Sequence, residues 1–190
     1  MDQGTAAENA RAVIGEACSL IESFDPGPDG LARKSRELTL ALLRQTNAPF
    51  SRHQFAPGHV TSTALVFHPD GGKVLFMYHH RLQRWLLPGG HVEESDASLA
   101  LTAAREAQEE TLVEIDGGWA ARLAGMDVHG IPAKPTEPFH LHHDLIWRFR
   151  ALTAEIAVTD EAPSVLWAEE ADWDRLEVAD SIRNSIRRVL

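Results

Sequence analysis

Apolar residues follow two different periods along the chain, and the change comes near His59. Before it the spacing is helical. In residues 6–23, Ala10, Val13, Ile14, Cys18, Leu20 and Ile21 fall near one stripe of a 3.6-residue period. Asp25-Pro26-Gly27-Pro28-Asp29-Gly30 reads as a turn. A second helical pattern over residues 31–46 carries Leu38, Leu40, Leu42 and Leu43, and Asn47 and Pro49 end it. The two segments predict an αα-hairpin, an N-terminal helical extension over residues 1–52.

After His59 the period shortens. Val60 to Phe67 is rich in β-branched and apolar residues and predicts a strand. Pro69-Asp70-Gly71-Gly72 supplies a hairpin turn, and Lys73 to His79 the returning strand. Trp85-Leu86-Leu87 leads into Pro88-Gly89-Gly90, which reads as a turn. Residues 97–112 return to helical spacing, with Asp96 or Ser95 as the expected N-cap. Ala100, Ala103, Ala104 and Ala107 give that helix a small-residue flank suited to close packing on a sheet. Residues 120–128, 138–151 and 165–167 predict strands, and residues 178–189 a terminal helix. Strands mixed with helices over residues 53–190 predict an α/β domain.

One helix carries the chemistry. Within Arg105-Glu106-Ala107-Gln108-Glu109-Glu110, three glutamates stand at i, i+3 and i+4, which share one helix face. Like charges so placed repel unless a cation lies between them, and a hard divalent ion with oxygen ligands fills that need. A plain solvated acidic face is the alternative. These glutamates, however, sit near the helix C-terminus, where the macrodipole disfavours negative charge. The Gly-Gly pair upstream lets a backbone carbonyl, that of Gly90, approach the same point.

This arrangement resembles the Nudix box, in which a glycine is followed after five residues by a glutamate, then after seven by Arg-Glu-apolar-x-Glu-Glu-x-Gly-apolar. The resemblance spans residues 59–175 and departs from the pattern in three places. The loop acid is Asp96, eight residues rather than seven separate it from Arg105, and Leu112 stands where the pattern has glycine. No carboxylate is lost. The resemblance implies an α/β/α sandwich with a mixed sheet, here preceded by the helical hairpin. It also implies Mg²⁺ or Mn²⁺ held by Glu106, Glu109 and Glu110 with the Gly90 carbonyl, and one glutamate helping to activate water. Arg105 becomes a brace for the loop acid Asp96, which is equally readable as a plain N-cap.

Phe139-His140-Leu141-His142-His143-Asp144-Leu145 forms a second constellation. Side chains alternate along a strand, so His140, His142 and Asp144 share one face, and Leu141, His143, Leu145 and Trp147 the other. Three polar residues on one face of an apolar strand mark either an exposed edge or a wall of a substrate pocket. A His/His/Asp transition-metal site is a third, lesser reading. Upstream, Arg81 and Arg84 have the planar fork that grips a phosphate. Trp85 is a core residue or a stacking surface for a base, and His91 either a site residue or a solvated turn histidine.

Bulk properties narrow the partners. The formal net charge of −10 disfavours nucleic acid held by its backbone, while a small phosphate compound remains suitable if a divalent ion supplies local positive charge. Cys18 is the single cysteine, so no intrachain disulfide forms, and its spacing predicts a buried helix position. The polar N-terminus does not read as a signal peptide, no stretch matches a membrane span, and a cytoplasmic location is expected. A homodimer is compatible with the sequence.

The expected activity is metal-dependent hydrolysis of a phosphoanhydride bond in a nucleoside diphosphate linked to another moiety. The first rival is a module of the same fold that senses a nucleotide without cleaving it. The second is an isomerase or other non-hydrolytic chemistry on a diphosphate. Turnover with Mg²⁺ separates these readings.

Overall fold

The computed structural model describes residues 3–190, with side chains from residue 11 onward. The side chain of the expected stripe residue Ala10 and the first two residues of the polar N-terminus therefore lie outside the described part. The elements run α1 (Gln3–Ser23), α2 (Gly30–Gln45), β1 (Gly58–Phe67), β2 (Val74–His79), β3 (Arg84–Leu86) and β4 (Gly89–His91). Then follow α3 (Leu99–Thr111), β5 (Arg122–Ile131), β6 (His140–Arg150), β7 (Val165–Ala168), a short 3₁₀ turn (Glu170–Asp172) and α4 (Asp180–Val189). The sheet order is β3-β2-β1-β6-β5, with β4 paired to β1 and β7 to β2. This is the mixed-sheet α/β/α class, with a helical pair ahead of the sheet.

The chain divides into two compact units: residues 1–60 with 126–144, and residues 61–125 with 145–190. In the first, Asp29 caps α2 by accepting from the backbone N–H groups of Leu31 and Ala32. Arg36 ties α2 to α1 by donating to the carbonyls of Ile21 (2.9 Å) and Glu22 (2.7 Å). Ser35 Oγ accepts from Val128 N–H at 3.1 Å, and Thr39 Oγ1 lies 3.2 Å from His143 Nδ1. Two polar side chains on the inner face of α2 thus satisfy groups on β5 and β6. The α1 core positions are Ala17 and Ile21, whereas Val13 is exposed and Cys18 only half-buried, so the expected buried cysteine is corrected.

In the second unit, β2 is almost wholly apolar and pairs antiparallel with β3 and β7, from Val74↔Ala168 to Met77↔Val165 on the β7 side. Leu65, Phe76, Ile146, Leu176 and Ile186 meet in its core. Truncating a fully buried side chain such as Phe76 to alanine would cost about 3–5 kcal/mol. Arg188 donates to the Ala124 carbonyl at 2.7 Å and fastens α4 beside β5.

Two expectations near the glycines change. Gly89 and Gly90 are not a turn but strand β4, paired to Ser62 and Thr63 of β1. The helix α3 begins at Leu99, capped by Ser98 Oγ, which accepts from Leu101 N–H at 3.2 Å. Neither Asp96 nor Ser95 is the cap, because Asp96 is fully engaged elsewhere. Among the described residues, no helix is long and apolar enough to cross a membrane.

Candidate active site

Strand β4 and helix α3 bring the box residues together within the second unit. The Arg105 guanidinium lies at the centre. Its Nε and Nη2 donate to the two oxygens of Asp96, each at 2.9 Å, in a fork-on-carboxylate pair. Nη2 also donates to the His91 carbonyl at 3.0 Å, and Nη1 reaches Glu106 (3.0 Å) and Glu109 (3.1 Å). Asp96 further accepts from Glu93 N–H at 3.0 Å and Thr102 Oγ1 at 2.9 Å. So Asp96 pins the loop before α3, and the additional residue between it and Arg105 is absorbed without losing the pair. The Arg105 side chain, with Thr102 beside it, holds the Asp96 carboxyl down to about 2. Arg105 is itself raised by the same contact.

Glu106 packs directly on Gly90. A Cβ at residue 90 would stand 2.5 Å from the Glu106 Cδ, so any larger residue there would force the Glu106 carboxylate aside. Glu110 is 7% exposed and accepts from Gly89 N–H at 2.9 Å. Burial raises the Glu110 carboxyl to about 8, and the charges of Glu106, Glu161 and Glu109 add to the rise. Burial also raises Glu106, against the pull of Arg105. Glu161 had no sequence signal; it lies in the loop before β7, yet its charge acts on both glutamates.

These observations test whether a divalent ion suits the site. Glu110 is a nearly buried carboxylate that accepts from a backbone N–H, and like charges surround it. The Arg105 guanidinium is forked onto Asp96 and shares its remaining nitrogen between Glu106 and Glu109. The donor set is all hard oxygen, which suits Mg²⁺ or Mn²⁺. The glutamate oxygens do not crowd to one point: Glu109 is exposed and turned onto Arg105. Rotation of the Glu109 side chain away from Arg105 would be needed to join its neighbours.

The remaining expected site residues are placed as follows. Arg81 and Arg84 are exposed around the β2–β3 connection, and His91 is half-buried at the end of β4. Trp85 packs against the core cluster and meets Tyr78 edge-on at 5.5 Å, which is the core alternative. Leu112 closes α3 in the left-handed conformation, φ 54° and ψ 18°, where the family pattern has glycine.

The histidine strand is not an edge. β6 lies between β1 and β5, so the exposed-edge reading of His140, His142 and Asp144 is overturned by the strand order. His140 is buried, and His142 and Asp144 are half-buried. In the first unit, His140 and His142 converge with His59, at the head of β1. Their ring centroids lie 4.8–5.2 Å apart. His59 was not singled out from sequence; its signal was a histidine at the start of a strand in which every residue is buried. On the opposite face His143 is buried, and burial holds its imidazole down to about 4.

Comparison with known proteins agrees with this architecture. The NUDIX domain family model matches residues 57–189, and the chain belongs to that family. Among solved structures, the NUDIX domain of Shewanella oneidensis NrtR, complexed with ADP ribose, is similar at 21% identity. The match covers 67% of this chain and 85% of that one, with a TM-score of 0.51. The MutT protein of Methanosarcina mazei Go1 is 22% identical over 68% of this chain and 90% of its own, with a TM-score of 0.47. A Caenorhabditis elegans Ap4A hydrolase is 14% identical over 68% and 93%, also at 0.47. No curated protein matches the chain.

Proposed function

We propose that the chain is a metal-dependent pyrophosphohydrolase that cleaves a phosphoanhydride bond in a nucleoside diphosphate linked to another moiety. The observation that carries this reading is the pair of largely buried carboxylates, Glu106 and Glu110, locked between Gly89-Gly90 and a neutralised Arg105–Asp96 pair. Burying like charges in that way is unfavourable unless a cation joins them. Glu106, Glu109 and Glu110, with the Gly90 carbonyl, would hold Mg²⁺ or Mn²⁺. When bound, the ion supplies Lewis acidity toward the diphosphate oxygens and lowers the pKa of a water.

The chain's own residues do the rest. Arg105 keeps the loop and helix in register through Asp96 and steadies Glu106 and Glu109. The raised pKa of Glu110 makes it a group able to exchange a proton near neutral pH, and burial shifts Glu106 in the same direction. Arg81, Arg84 and His91 are proposed for the substrate phosphates. Residues 1–52 are proposed as an extension of the catalytic domain over 53–190, a division supported by a family match that begins at residue 57.

The test is a screen of nucleoside diphosphate compounds with Mg²⁺ and with Mn²⁺, reading released phosphomonoester. ADP-ribose is a sensible first compound, being the ligand of the similar NrtR domain. On the best substrate Glu110→Gln should lower turnover at least a hundredfold, about 2.7 kcal/mol or more in the transition state. Near-full activity of that variant would sink the assignment. A protein that binds such compounds without turnover would instead be the sensing module.

A further inference from the structure

We propose that His59, His140 and His142 form a second metal site, for a transition ion of the Zn²⁺ type, separate from the carboxylates. One ring nitrogen from each histidine lies within 4.8 Å of the other two. No other group of three or more His, Cys, Asp or Glu residues among the described ones meets that condition.

The protonation pattern favours ligation. His140 Nδ1 lies 2.9 Å from the Pro138 carbonyl, and His59 Nδ1 lies 3.2 Å from the Gln54 carbonyl. A carbonyl can only accept, so each Nδ1 carries the proton and each Nε2 carries a lone pair. Metal-binding histidines are oriented in this way by an outer backbone acceptor. His140 Nε2 and His142 Nε2 stand 3.3 Å apart. Two imidazoles on a tetrahedral Zn²⁺, with bonds of about 2.0–2.1 Å, bring their nitrogens to about 3.3 Å of each other. The rings are also held from outside. Phe55 meets His140 edge-on at 5.1 Å, and His129, paired to Asp127 at 3.0 Å, meets His142 at 5.7 Å.

Nitrogen donors select a different ion from the glutamates. Imidazole suits Zn²⁺, Cu²⁺ and Ni²⁺, while carboxylate oxygens suit Mg²⁺ and Mn²⁺. Three protein ligands leave a fourth position for water or an anionic group, as in sites that do chemistry. The alternative is a purely hydrogen-bonded histidine cluster, with His142 Nε2–H donating to His140.

The experiment uses the full chain without a histidine tag, stripped with chelator and then given one equivalent of Zn²⁺ or Co²⁺ in excess Mg²⁺. Expected is one Zn²⁺ retained per chain after gel filtration, and with Co²⁺ the intense visible bands of four-coordinate nitrogen ligation. His142→Ala should lose both, and Glu106→Gln with Glu109→Gln and Glu110→Gln should keep both. Retention lost in the glutamine variant but kept in His142→Ala would overturn the proposal, as would no retention by the wild type. Should His142→Ala fail to fold, ¹⁵N spectra of the wild-type imidazoles decide. Zn²⁺ should shift the Nε2 signals of three histidines and leave the Nδ1–H protons of His59 and His140 in place; an unchanged set overturns it. Because the readout is metal binding, the result does not depend on whether the chain hydrolyses a diphosphate.

Discussion

Gly90 and Glu106 touch so closely that a side chain on one would displace the other. A Cβ at residue 90 would meet both Glu106 carboxylate oxygens, at 2.6 and 2.7 Å. Gly90→Ala should therefore push Glu106 out of place and lower hydrolysis at least tenfold, about 1.4 kcal/mol. Gly117→Ala is the control, since a Cβ there meets nothing within 4 Å. Steady-state kinetics of the two variants check this, and equal activities would mean that Glu106 need not sit where it does.

Arg105→Lys should act through Asp96. Lysine keeps the charge but not the planar fork, so the paired bonds to Asp96 and the reach to the His91 carbonyl cannot all form. The expected destabilisation is about 1.5–3 kcal/mol, the range for a lost hydrogen bond to a charged group. The sign of its pH dependence is fixed. Asp96 is depressed to about 2, so its contribution is full above the ordinary carboxylate range and is lost as pH falls toward 2. Denaturation curves at pH 7 and pH 3 should show the gap between wild type and variant shrinking to roughly half at the second.

The α3 helix and its glutamate face were legible because helical spacing is written locally. So was the alternation that put His140 and His142 on one face of β6. Three things were not. β4 has three residues, two of them glycine, and becomes a strand only because β1 offers it partners. His59 joins His140 and His142 through the adjacency of β1 and β6, and strand order is not a local property of sequence. Glu161 reaches the glutamates from a loop with no periodicity at all. The N-cap was misplaced for a related reason: Asp96 has cap chemistry, but Arg105, nine residues on, claims its oxygens.

Leu112→Gly should stabilise the protein. Leu112 adopts φ 54° at the end of α3, a conformation that costs an L-residue roughly 1–2 kcal/mol. At 58% exposure its side chain contributes little packing to lose. Glycine removes the strain but adds freedom to the unfolded chain, leaving a net gain of about 0.5–1 kcal/mol. For a chain of this size that is a rise of roughly 1–4 °C in Tm. Calorimetry checks it, and a fall in Tm would mean that Leu112 makes contacts worth more than its backbone strain.

Glu110 gives the metal-free protein a stability that falls with rising pH. Its folded carboxyl is raised to about 8, above the ordinary value of 4.5. A raised group contributes stability that is full below its unfolded pKa and is lost as pH climbs through the folded one. His143 works the other way. Depressed to about 4 from 6.5, it takes stability away as pH falls below 6.5, and His59 and His79, also lowered, behave alike. The window between pH 6.5 and 8 isolates the carboxylate. There the chelator-treated protein should lose up to about 2 kcal/mol, since each pH unit per proton is worth about 1.4 kcal/mol. Glu110→Gln should flatten that slope. Millimolar Mg²⁺ should flatten it too and raise Tm, because an ion that binds the ionised glutamates in the folded state alone stabilises it by mass action. The measurement is Tm against pH for both proteins, with and without Mg²⁺. A slope that survives in Glu110→Gln would assign it to another group, and a Mg²⁺-induced rise of equal size in the triple glutamine variant of Glu106, Glu109 and Glu110 would place the ion elsewhere.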